Sequence, residues 1–134
     1  MAVALPLAVI TFLLGRVIWP DMPGAPMPSA DQLPFFMFLS ALESVAFGVG
    51  VGFLIFGWPY VMRAKAQERN SAVAALLAIT WMLVSWWPHD NMHRVNGMDM
   101  GGLLRIEYIF HFTLIASSFI VAYFFWHFVK KVAR

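Results

Sequence analysis

Four long apolar runs, at about residues 3–19, 34–62, 71–88 and 102–128, constrain this chain more than any motif in it. Their charged side chains are Arg16, Glu43, Arg105 and Glu107 and no others. Each run meets or approaches the roughly 20 residues a helix needs to cross about 30 Å of hydrocarbon, where backbone N–H and C=O groups must be bonded within the segment. The chain is 61% hydrophobic and 12% charged, against about a quarter charged in soluble domains, which leaves no material for a separate soluble unit. The expected fold is all-α: a polytopic membrane protein whose residues 1–134 form one four-transmembrane-helix bundle. Residues 3–19 lack the basic start of a signal peptide and read as the first membrane helix.

The basic residues set the expected orientation. Arg63, Lys65 and Arg69 separate the second and third runs, and Lys130, Lys131 and Arg134 close the chain. The positive-inside rule puts both groups, and so both termini, in the cytoplasm. The loops holding Met22 and His89 then lie outside, which implies a bacterial plasma (inner) membrane with the polar loops facing the periplasm. The net charge of +2 resides at these boundaries. No basic stretch is interleaved with exposed aromatics, so no nucleic acid is expected as a partner. The expected partners are the lipid bilayer and further copies of the chain or other membrane subunits.

The first loop, PDMPGAPMPSADQLP, is too rich in proline and glycine for regular structure and reads as a lid packed on the bundle as readily as a linker. The second run contains AFGVGVGF, in which Gly48 and Gly52 have the GxxxG spacing that lets a neighbouring helix approach closely. The third ends at Trp86-Trp87, with Pro88 either stopping it or opening a short new helix. Asn96-Gly97 reads as the next stop, and Asp99 as the N-cap of a last helix beginning near Gly102.

Functional expectation centres on residues 86–111, WWPHDNMHRVNGMDMGGLLRIEYIFH. With no cysteine in the chain, any metal must be held by His, Met or carboxylate. His89 and His93 are four residues apart, so on a helix both imidazoles share a face. The five residues HDNMH resemble the HExxH element of zinc metalloproteases, with Asp90 in the place of the glutamate, and the resemblance extends no further. Met98 and Met100 add thioethers, and Glu107 and His111 lie one turn apart on the last helix. The expected metal-ligand set is therefore His89, Asp90, His93, Met98, Met100, Glu107 and His111.

Copper best explains the mixture of thioether and imidazole, whereas zinc or iron would use the histidines and carboxylates alone. A second reading is a membrane enzyme acting on a lipid or other apolar substrate. In that reading Glu43, Glu107 and His111 are the catalytic acid and base groups, because Glu43 and His111 fall at matching depth, about nine residues from the outer boundary. A haem- or quinone-binding subunit is a third, with His111 and His89 or His93 as axial ligands. A purely structural subunit is the fourth.

Overall fold

A computed structural model describes residues 2–24 and 27–133 of the chain. Arg134, one of the basic residues closing the sequence, and residues 25–26 of the first loop lie outside the described residues. Those described are helical, with no strand: α1 (Ala4–Ile18), α2 (Leu33–Met62), α3 (Ala66–Val84), α4 (Trp86–Asn96) and α5 (Met100–Val132). Within α5 the backbone widens to a π helix over Glu107–Phe112.

By length and composition α2 and α5 are each able to cross a membrane. Helices α3 and α4, bent by 43° where they meet, form a third candidate span, and α1 is a shorter apolar helix. The 30 residues of α2 extend about 45 Å, well beyond the hydrocarbon thickness.

Two helices outrun the apolar runs that announce them. Helix α3 starts at Ala66 rather than near residue 71, because extended backbone at Lys65 (φ −55°, ψ 144°) ends the preceding turn and Glu68 sits in the first turn, where a carboxylate complements the helix dipole. Its polar segment Gln67–Asn70 is helical without being apolar, so hydropathy alone misses it. Helix α5 likewise continues past residue 128 to Val132, where Lys130 and Lys131 favour its C-terminal end.

The helices pack side by side in a row. Helix α1 packs on α2, α2 on α3, and α3 on the Thr113–Val132 half of α5, while α4 lies across one end against α2 and the start of α5. The glycines of α2 explain how it accepts a neighbour on each side. A Cβ on Gly48 would overlap the Ala4 carbonyl of α1, whereas one on Gly50 would stand 2.7 Å from Val84 Cγ1 and 2.8 Å from Leu83 Cβ of α3. Residues two apart on a helix point about 200° from each other, so successive glycines serve opposite partners. Large apolar side chains along α2 and α5, such as Phe35, Phe38, Phe119 and Phe125, remain exposed, as a lipid-facing surface requires.

The turn between α4 and α5 is fixed locally. Gly97 adopts φ +52°, ψ −121°, a conformation strained for any side chain, while its N–H donates to the His93 carbonyl at 2.9 Å. The Asp99 carboxylate then accepts from the Gly102 N–H at 2.6 Å, capping α5 as its sequence position predicts.

Replacing Gly48 by Leu is expected to force α1 off α2 and lower stability by about 1–3 kcal/mol or more, the range for overpacking. Gly52→Ala is expected to be tolerated, because its Cβ would meet Ala4 Cβ at an ordinary 3.7 Å. Unfolding titrations in mixed micelles compare the two.

Candidate metal centre

Three of the predicted ligands converge. His89 and His93 project from one face of α4, one turn apart, with ring centroids 4.7 Å apart and planes at 79°. His111 comes from the π turn of α5, and its Nε2 lies 3.0 Å from Nε2 of His89. One ligand nitrogen from each of the three lies within 4.8 Å of the others. Metal–nitrogen bonds of about 2.0–2.1 Å at tetrahedral angles put imidazole nitrogens about 3.3 Å apart, so these rings need small adjustments to share one ion.

Glu107 stands behind this group. Its Oε2 is 2.7 Å from Nδ1 of His111. A carboxylate can only accept, so His111 donates from Nδ1 and presents the lone pair of Nε2 to His89. The short Nε2–Nε2 contact then carries the proton of His89. A carboxylate fixing the far nitrogen of a histidine is the usual support of a metal-bound imidazole. The geometry therefore gives Glu107 an orienting position instead of the ligand position the sequence suggested.

The π turn is held in place by α3. Phe110 is buried and stacks on Trp81, with centroids 5.9 Å apart and planes at 5°, while its edge meets the ring of His89 at 5.4 Å. The Trp81 indole N–H donates to the Thr113 hydroxyl at 2.8 Å. That hydroxyl donates in turn to the Ile109 carbonyl at 2.5 Å, with the Phe110 carbonyl at 3.2 Å as the alternative acceptor. These carbonyls lie in the widened turn, where the regular α pattern of acceptance is broken.

The other predicted residues stand apart. Asp90 is exposed and outside the histidine group. Glu43 is half-buried on α2 and lies outside the histidine group. Met98 and Met100 are 85% and 75% exposed, because the cap at Asp99 between them holds both at the solvent-facing start of α5. The two arginines of the apolar runs pair with aspartates outside those runs: Arg16 with Asp21, and Arg105 with Asp99 at 4.0 Å.

Sequence reasoning missed Asp21 and Arg94, which tie the first loop to α4. Arg94 Nη2 and Nε donate to Asp21 Oδ1 at 2.5 and 3.2 Å, and Nη1 donates to Asn91 Oδ1 at 2.9 Å. The partners are 73 residues apart, and no local pattern marks them. The hydrogen bond from Arg94, reinforced by its charge and that of Arg16, holds the Asp21 carboxyl below the ordinary aspartate range against a smaller opposing effect of burial. A depressed carboxyl keeps its tether above the ordinary value of about 3.9 and loses it as pH falls through the lower folded value.

A spin label at Pro23 should therefore stay restrained from about pH 7 to about pH 4 and become mobile only in stronger acid. Asp21→Asn should mobilise it at neutral pH, as read by its electron paramagnetic resonance line shape. No protein-family model, no curated protein and no solved structure matches this chain, so any functional conclusion rests on this geometry.

Proposed function

We propose that the chain is a small integral membrane protein that binds a transition-metal ion through His89, His93 and His111, either to deliver or transport it or as a subunit of a larger membrane metalloenzyme. One observation carries this reading: three imidazoles, from two segments separated by a glycine turn, bring ligand nitrogens within 4.8 Å of one another. Glu107 backing His111 is the feature a packing role alone does not call for.

Copper is the metal we assign. The thioether argument lapses with Met98 and Met100 exposed, but a nitrogen site of given geometry holds Cu(II) more tightly than Zn(II), Ni(II) or Fe(II) by the Irving–Williams order. Haem fits poorly, since Nε2 atoms 3.0 Å apart leave no room for a macrocycle between His89 and His111.

We further propose that four segments cross the membrane, with both termini cytoplasmic and the histidines facing the periplasm. Arg63, Lys65, Lys130 and Lys131 at the opposite end of the row support this orientation. The outer faces of α1 and α5 would then meet lipid, further copies of the chain or other subunits.

Purified protein is expected to retain or take up one equivalent of copper, as measured by elemental analysis. His89→Ala, His93→Ala and His111→Ala should each abolish tight binding, and Glu107→Gln should weaken it about 10- to 100-fold. Joint replacement of Met98 and Met100 by Leu should leave affinity unchanged. Protons compete for imidazole nitrogen, so affinity falls on acidification. Folded histidine variants that bind as tightly as the parent would refute the assignment.

Orientation is tested with single cysteines in this cysteine-free chain. A cysteine replacing exposed Met98 should react with an impermeant reagent from outside, and one replacing Lys65 only after the membrane is opened. The reverse pattern would put the site in the cytoplasm.

A further inference from the structure

We propose that the metal's remaining coordination position is filled from the cleft beside His93, and that this cleft takes a small amphiphile with an anionic, electron-pair-donating head and a short apolar body. The inference rests on the metal reading above and deepens it by naming the ligand class.

His93 belongs both to the histidine group and to the lining of a cleft of about 420 Å³ at the same end of the molecule. Three protein ligands leave a four-coordinate ion one open position, the arrangement of sites that exchange a ligand rather than of closed structural ones. The volume falls within the range of small-molecule sites, about 300–1,000 Å³.

The lining specifies the chemistry of the occupant. Met27 and Phe36 offer apolar surface and are 71% and 54% exposed, so an alkyl group settling on them would leave water. The polar wall holds Arg16, Asp21 and Arg94, two guanidiniums to one carboxylate, which adds a net positive charge to that of the ion. Arg94 commits three of its five N–H groups to Asp21 and Asn91. Arg16 reaches Asp21 through Nη1 alone, and its other N–H groups have no partner among the described residues. An anionic head bound to the ion can therefore draw on Arg16 while its carbon chain lies along Met27 and Phe36.

The test uses full-length protein in lipid nanodiscs, loaded with Co(II) to give a visible ligand-field spectrum, and titrated with acetohydroxamate and hexanohydroxamate. Both should perturb the band, and the four extra methylenes should raise affinity at least tenfold, since each buried methylene is worth up to about fourfold. Met27→Trp, which fills the cleft, and Phe36→Ala, which removes its apolar wall, should each reduce the ratio of the two affinities. Partition into lipid is common to all these proteins and cancels in the comparison. Arg16→Gln should weaken both hydroxamates alike. A band that ignores hydroxamate, or an affinity ratio equal in wild type and both cleft variants, overturns the proposal while leaving the metal site standing. If Co(II) is not taken up, the d–d band of the copper-loaded protein reads the same titrations, and failure to take up either ion overturns the metal reading and this inference with it.

Discussion

The hydrogen bond from the Trp81 indole to the Thr113 hydroxyl, with the stacking of Trp81 on Phe110, decides where the third histidine stands. Trp81 lies one turn before Ser85, whose N–H donates to the Trp81 carbonyl at 3.0 Å and which is the joint from which α4 departs. Both halves of the histidine group are thus referenced to the same turn of α3. His89 and His93 reach it through the joint, and His111 through Trp81. The extra residue of the π turn makes the two references compatible, because deleting one residue from a helix rotates everything beyond it by about 100°. Ile106 before the π turn, Phe110 within it and Ser117 after it are buried, so neither half of α5 is free to turn and absorb the rotation.

The row of helices makes this end of the molecule different from a bundle core. Each helix of the row packs on one or two others of the row, and the remaining apolar surface suits lipid rather than another helix. Polar groups can then gather only where helices end. Arg16, Asp21 and Arg94 do so at the histidine end, and Glu68 with Lys131, 2.6 Å apart, ties α3 to α5 at the other. Exposed ion pairs of this kind add about 0–1 kcal/mol each, so their effect is placement more than stability. Asp21 holds the first loop over α4, and the cleft beside His93 exists because that loop is held there.

The limits of what the sequence reveals follow from the range of each signal. Apolar runs carry the helices, since a membrane-length helix writes its burial into every residue, and local rules carry the caps at Gly97 and Asp99. The spacing of His89 with His93 and of Glu107 with His111 was legible because i and i+4 share a helix face. That the two pairs meet was not legible, for it depends on the 43° bend after Val84 and on the π turn, which has no composition of its own. Depth counting matched Glu43 to His111 but could not show that α4 would lie against α2 at that end. Methionine content pointed to copper through Met98 and Met100, and the capping carboxylate between them turns both outward.

Helix α4 is the element whose stability an ion would change most. It is the shortest of the five and the least apolar, and apart from the histidines it is anchored chiefly by Trp87, packed on Trp19 at 6.2 Å and Phe47 at 5.3 Å, and by buried Asn91. An ion shared by His89, His93 and His111 would bind α4 directly to α5 and close the glycine turn between them into a ring. Binding confined to the closed arrangement stabilises it by RT ln(1 + [L]/Kd), about 4 kcal/mol at a thousandfold excess over Kd. That exceeds what the loop's exposed ion pairs supply, so without metal α4 should open before the long helices separate. A docked α4 also aligns His93 with the cleft, which means that the ion would complete the place where its own further ligand binds.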